Sequence, residues 1–288
     1  MKKKRDRCKD YDYVALYNKL LREETVEEII ESIMREKNYV FWRRTITSGK
    51  MVELEIYPVW KCKHNAPRCK ERKESKKTQK NLNNANSKKK VVRLINTNFD
   101  KEDLYITVTY EDGYLPNEKT ARRDIQNYIR RLKHYRRKNG MEELKYIYSI
   151  GYEDDPEHSK KIRVHHHLII NKMDRDIAED LWGKGRADSK RLQPDDFQLT
   201  GVAKYIASQG PERWSASRNL KKPKETLNRT GLTRRKAVDL LRNQTLFKQI
   251  FEKLVPSCVY KDCKMYYSEK NPGVYFHVRM KKKEELIS

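Results

Sequence analysis

The sequence predicts an α+β fold in which an antiparallel sheet carries helices packed on one face. Three observations point there. From Leu104 to Gln209 the residue patterns run strand, helix, strand, strand, helix, helix. The two adjacent strands are joined by a polar loop, as in a hairpin at the middle of a sheet. The long helical stretch between them and the first strand has a single apolar stripe, so it has one face to bury.

The elements follow in order. Glu23 to Lys37 reads as a short amphipathic helix, with Ile29, Ile30, Ile33 and Met34 on one side. Tyr39 to Trp60 reads as two strands around a Ser48-Gly49-Lys50 turn, and Val52, Leu54 and Ile56 alternate in the second. The composition then changes. Lys61 to Arg93 carries 13 Lys or Arg against Glu71 and Glu74, which describes either a solvated connector or an arm that lies along a phosphate backbone. A helical turn over Val91 to Ile95 is expected to close it.

Leu104 to Tyr110 is an alternating β-branched and aromatic run, hence a strand, broken by Asp112-Gly113 and Pro116. Glu118 to Asn139 is helical, with Ile125, Tyr128, Ile129 and Leu132 as its apolar stripe, nine Lys or Arg elsewhere, and Gly140 as its stop. Leu144 to Glu153 and Ile162 to Asn171 are strands; Asp174 to Trp182 and Gly201 to Gln209 are helices. Leu220 to Arg229 reads as a basic loop and Thr233 to Leu254 as one amphipathic helix. Tyr260 to Tyr267 and Val274 to Met280 are closing strands. The organisation expected is an N-terminal helix and strand pair (1–60), a basic connector (61–95), a core (96–230), and a C-terminal helix with closing strands (231–288).

The charge balance narrows the partners. The 288 residues contain 66 Lys and Arg against 41 Asp and Glu, a formal charge of +25. Such a field draws in polyanions, and nucleic acid is the usual one, because neutralised phosphates release their counterions. No apolar stretch approaches the ~20 residues of a spanning helix, and the basic start leads into no apolar signal core. No membrane partner and a cytoplasmic location are therefore expected. Five cysteines, an odd number, are read as reduced thiols rather than a disulfide framework. Cys62, His64 and Cys69, with Cys258 and Cys263, have spacings unlike common zinc knuckles and are read as free cysteines.

The most informative string is Arg163-Val-His165-His166-His167-Leu-Ile-Ile170. Side chains alternate along a strand, so His165 and His167 share a face and His166 points the other way. Two imidazoles spaced about 7 Å along one strand can grip one metal ion from the same side. The preceding strand ends at Glu153, the best third ligand, with Asp154 and Asp155 as alternatives. Two imidazoles and a carboxylate with open positions suit Mg²⁺ or Mn²⁺ that also meets a substrate phosphate, although Zn²⁺ takes such ligands too. The helix Gly201-Val-Ala-Lys204-Tyr205-Ile-Ala-Ser208-Gln209 carries a candidate nucleophile in Tyr205. A Tyr phenol titrates near ~10 and needs help to attack phosphate at neutral pH.

Taken in order, the strand Tyr105 to Tyr110, the His165-x-His167 pair and the Tyr205 helix resemble the three motifs of HUH endonucleases. These are the rolling-circle replication initiators of plasmids and phages, with relaxases as cousins. Asn96 to Phe99, Arg122-Arg-Asp124 and Trp214 to Leu220 are similar to initiators of small Gram-positive mobile elements. The resemblance covers Lys76 to Pro223. It implies a ferredoxin-like domain with a five-stranded antiparallel sheet, a divalent metal on His165, His167 and Glu153, and attack by Tyr205 on single-stranded origin DNA. A 5′-phosphotyrosine and a free 3′-hydroxyl would result, in a bacterial cytoplasm.

The chain departs from the pattern at Ser208, where many members hold a Lys. Lys204 is the candidate replacement. No second Tyr lies one turn away, because Gly201 and Gln209 hold those places, which indicates a single-tyrosine enzyme. No Gly-x4-Gly-Lys-Ser/Thr string occurs, so unwinding would fall to a separate helicase. Arg122, Arg123 and Arg130 of the basic helix, with Trp214, Arg218, Lys221 and Lys222, are the expected DNA contacts. A transposase or relaxase would use the same chemistry, and a non-catalytic nucleic-acid-binding protein is the remaining alternative.

Overall fold

The turn at Ser48-Gly49-Lys50 forms as expected, and Gly49 makes it possible. Strands β2 (Tyr39–Ser48) and β3 (Met51–Trp60) pair antiparallel with Ser48 opposite Met51. That leaves a two-residue connection whose first residue, Gly49, has φ +59°, the geometry of a turn that matches strand twist. The computed structural model describes residues 16–60, 76–114, 116–151, 164–208, 214–269 and 271–283. These fall into two compact units. One comprises Met1–Lys76 with Pro223–Ser288, and the other Lys77–Lys222.

In the first unit, β2 and β3 are joined by β1 (Lys19–Leu20), β9 (Lys224–Arg229), β10 (Cys258–Tyr267) and β11 (Val274–Lys282). The six strands run in the order β1-β10-β11-β3-β2-β9, every neighbouring pair antiparallel. The N-terminal hairpin and the closing strands thus share one sheet. Helix α1 (Val26–Arg35) buries Ile29, Ile30 and Ile33 against it, together with Phe41, Leu54, Ile56, Phe276 and Val278. The stretch expected as one C-terminal helix is two, α6 (Arg234–Arg242) and α7 (Leu246–Leu254), interrupted at Asn243 in an extended conformation. The expected loop over Leu220 to Arg229 contains β9. All six side chains of this edge strand are exposed, so it has no buried alternation by which to be recognised.

The second unit holds five strands: β4 (Leu104–Thr109), β5 (Tyr146–Gly151), β6 (His165–Ile170), β7 (Ala187–Arg191) and β8 (Trp214–Ala216). Their order is β7-β4-β6-β5-β8, again all antiparallel. Helices lie on both faces, not on one as the patterns suggested. Ile106, Val108, Ile150, Leu168 and Ile170 meet Ile125, Tyr128 and Leu132 of α3 (Glu118–Lys138) and Ala178 of α4 (Arg175–Asp180). On the other face Ile147 and Ile169 meet Val91 and Ile95 of α2 (Lys76–Asn98) and Ala203 and Ile206 of α5 (Thr200–Ser208). This second layer escapes sequence patterning because Tyr105, Thr107, His165 and His167 on the same face look like a solvent side. The half of the basic connector from Lys76 onward is helical, and its end is anchored by Val91 and Ile95, both fully buried. Among the described residues, no helix is long and apolar enough to cross a membrane.

The face beneath α3 and α4 is closed around Trp182. This side chain is fully buried, donates its indole N–H to the Thr109 carbonyl at 2.8 Å, and meets the rings of Tyr110, Tyr128 and His166. Gly185 holds the loop before β7 against that corner. Its φ is +140°, and a Cβ there would lie 2.5 Å from the backbone of Tyr110 and Glu111. Gly185→Ala is therefore expected to lower stability by ~1–3 kcal/mol. Urea unfolding followed by circular dichroism checks this; an unchanged midpoint would contradict it.

Candidate active site

Strand β6 is the central strand of its sheet, hydrogen-bonded to β4 on one side and β5 on the other. Alternation along it sends His166 toward α3 and α4, and His165 and His167 to the opposite face. Across that face the register aligns Asp188, Thr107, His167, Ser149 and Trp214 in one row, with Thr109, His165 and Gly151 in a neighbouring row. Gly151 is needed where it stands, since a Cβ at that position would run into the His165 ring.

His167 is 4% exposed and is engaged at both ring nitrogens. Its Nδ1 lies 2.7 Å from the Tyr105 hydroxyl and 3.2 Å from the Thr107 hydroxyl. Its Nε2 lies 3.1 Å from the hydroxyl of Tyr205. The His165 and His167 rings are 4.8 Å apart between centroids, and the Tyr205 ring is also 4.8 Å from His167. Burial, aided by neighbouring His165, lowers the His167 pKa to about 4, so the ring is neutral at pH 7. Burial likewise pushes the Tyr105 phenol up to about 12, which keeps it protonated beside that ring. His166 is completely buried, bonds the Tyr110 hydroxyl at 3.0 Å and is lowered to about 3, chiefly by burial. It is a core residue.

Tyr205 reaches this point from α5. Thr200, Ala203, Ile206 and Ala207 are the buried side of that helix, while Tyr205 is 48% exposed with its hydroxyl on His167. Asn96 near the end of α2 sets the start of α5: its carbonyl oxygen accepts from Leu199 N at 2.9 Å and its amide donates to Thr200 Oγ1 at 3.1 Å. The exposed phenol therefore rests on two buried anchors, a helix stripe and an Asn clamp.

The other sequence-selected residues are distributed as follows. Glu153, with Asp154 and Asp155, lies outside the described residues, as do Cys62, His64 and Cys69. Lys204 is exposed on α5 immediately before Tyr205. Ser208 donates its hydroxyl to the Tyr205 carbonyl at 2.6 Å. Trp214 is half-buried, donates to Ser87 Oγ at 2.8 Å and has the Lys90 ammonium 5.8 Å from its ring. Arg218, Lys221 and Lys222 lie on the following segment, where Asn98 clasps the Lys221 backbone. Arg122, Arg123 and Arg130 sit on α3, which packs on the face opposite His165, His167 and Tyr205. Arg122 is paired with Glu118 at 2.6 Å. A cavity of about 650 Å³ against the C-terminal end of α3 belongs to that same remote face.

Tyr105, Thr107, Ser149 and Gly151 form the immediate surroundings of the His pair and were not singled out from sequence as site residues. Their positions beside His165 and His167 on the paired strands are the signal that could have found them. Elsewhere, Glu53, Glu55 and His277 bring their ligand atoms within 4.8 Å of one another and could hold a metal ion. There His277 Nε2 lies 3.0 Å from Glu53, and Arg44 lies 3.3 Å from Glu55, so an ion-pair network occupies the position. Cys258 and Cys263 are free thiols.

The depressed histidines carry a pH consequence. The unfolded chain takes protons on His166 and His167 near their ordinary value, about 6.5, whereas the folded site refuses them until about 3 and about 4. Between those limits the unfolded state binds more protons, so stability falls as pH drops from about 6.5 toward 4. Imidazole NMR signals of His167 that stay neutral at pH ~5 would bear this out; titration near 6.5 would contradict it.

Comparison with protein families places this site inside a matched region. A family model described as a replication-associated protein of the ORF2 type matches residues 103–210, which run from the start of β4 through α5 and so contain His165, His167 and Tyr205. Neither curated proteins nor solved structures give a match. The segment that carries the candidate site is thus similar to a replication-associated family.

Proposed function

We propose that the chain is a rolling-circle replication initiator of the HUH type, which nicks and rejoins single-stranded origin DNA through a covalent bond to Tyr205. The observation that carries this reading is the 3.1 Å approach of the Tyr205 hydroxyl to His167 Nε2 on a site face that also presents His165. The family match over residues 103–210 supports a role in replication, and the +25 charge supports a DNA partner. On this reading the five-stranded unit is a ferredoxin-like HUH domain, and strand separation falls to a separate host helicase.

The reaction balances without water. The Tyr205 oxygen bonds to phosphorus, the bond from phosphorus to the 3′ oxygen breaks, the phenol loses its proton and the released 3′ oxygen gains one. A phosphodiester is exchanged for a phosphodiester, so rejoining is the same step reversed. His167 fits a metal ligand: its ring is neutral, and with Nδ1 donating to Tyr105 or Thr107 its Nε2 lone pair faces the reacting hydroxyl. His165 and His167 would hold a divalent ion, with Glu153 as third ligand. When bound, Mg²⁺ or Mn²⁺ supplies Lewis-acid polarisation of the phosphodiester. Lys204, exposed beside Tyr205, is the cation available to the attacked phosphate in place of the Lys absent at Ser208. Arg218, Lys221 and Lys222, with Trp214, border the site face and lead the single strand toward it. Arg122, Arg123 and Arg130 add attraction from the remote face.

Labelled single-stranded DNA from the element's own origin, incubated with Mn²⁺ or EDTA and run under denaturing conditions, tests the reading. The expected result is a protein-linked labelled band that requires the metal, disappears in Tyr205→Phe and falls at least ~100-fold in His167→Ala. Cleavage without that band points to water as nucleophile, and no cleavage on either origin strand leaves a binding protein.

A further inference from the structure

Beside Tyr205 lies a second recess that the nicking chemistry does not use. It has a volume of about 270 Å³ and is walled by Tyr105, Lys190, Gln193, Gln198, Leu199 and Val202. Three features connect it to the reacting centre. Tyr105 is one wall, and its hydroxyl is the group 2.7 Å from His167 Nδ1. Val202 stands on α5 less than one turn before Tyr205. Lys190 is the register partner of Tyr105, so its side chain rises on the site face of the sheet, where its ammonium also meets Asp188 at 3.5 Å.

The chemistry of the walls is specific. Leu199, Val202 and the Tyr105 ring offer apolar surface for a flat group. Gln193 and Gln198 each carry one amide with both a donor and an acceptor, the pair of functions that reads the edge of a base. Lys190 suits the attached phosphate. The volume is at the small end for ligand pockets and suits one ring system rather than a stacked run. Gln198 is also held in place at a conformational cost. Its φ is +58°, the left-handed region, and it is the non-glycine residue with positive φ among the described residues. Reciprocal backbone bonds to Asp195, 2.9 and 3.1 Å long, lock that turn. Backbone strain of this kind concentrates where a side chain must be aimed.

We infer that this recess takes the base of a nucleotide flanking the bond attacked by Tyr205, and that Gln193 and Gln198 determine which base is accepted. The inference rests on single-stranded DNA being the substrate, as proposed above, but binding alone tests it. Tyr205→Phe protein is used to select a single-stranded DNA library randomised over a short window, and bound and unbound pools are sequenced. The same selection is run with Gln198→Gly, which tolerates the left-handed backbone. It is run again with Gln193→Ala, an exposed position that covers the case of a Gln198 variant that fails to fold.

The expected result is a base preference at one position that weakens about tenfold in either variant while preferences elsewhere persist. Unchanged preferences, an even loss of affinity at all positions, or no preference in the parent protein would each overturn the inference. Loss of the preference at one position, in a protein whose Tyr205 forms no adduct with the selected DNA, would uphold the recess and defeat the nicking reading instead.

Discussion

The imidazole of His167 is held at both nitrogens, and the geometry of the site follows from that. Hydroxyls of Tyr105 and Thr107 meet Nδ1, and the Tyr205 hydroxyl meets Nε2. The first two come from β4, bonded to β6 in the sheet, and the third from a helix packed over the same face. One side chain thus records the relative position of three elements. Burial keeps the ring uncharged, so its lone pair remains available at neutral pH. A cationic ring there would repel both a metal ion and its partner His165.

The two faces of the five-stranded sheet divide the work. One is a packed aromatic and aliphatic layer beneath α3 and α4, centred on Trp182 with His166 sealed inside. The other is apolar only at Ile147 and Ile169 and gives the rest of its area to polar side chains. Consecutive histidines on one strand therefore have opposite fates: His166 is structural, while His165 and His167 line the site. The cations of α3, although grouped with the site by composition, lie on the structural face, where they act on a polyanion through the field rather than by touching the reacting phosphate.

Much of this was legible in the sequence wherever a period was clean. The alternation of Leu104 to Tyr110, the stripe of Ile125, Tyr128, Ile129 and Leu132, and the His-x-His spacing each specify a face, and those faces are observed. What was not legible depended on partners distant in sequence. β9 is recognisable only by its pairing with β2, because its side chains are all exposed. The helix from Lys76 looks like a charged linker until Val91 and Ile95 meet Ile147 and Ile169. Tyr105 and Gly151 acquire meaning only when the register sets them beside the His pair. The Asn96 clamp on α5 bridges residues about a hundred positions apart, a contact no local pattern encodes.

The central claim is that the exposed phenol on His167 is the group that bonds to DNA. Peptide mass spectrometry of protein reacted with origin single strand and then digested with nuclease and trypsin tests it most directly. A phosphonucleotide mass is expected on the peptide that begins at Tyr205 and ends at Arg213, where Tyr205 is the sole tyrosine. A nucleotide mass on any other peptide, or cleaved DNA with every peptide unmodified, would contradict it.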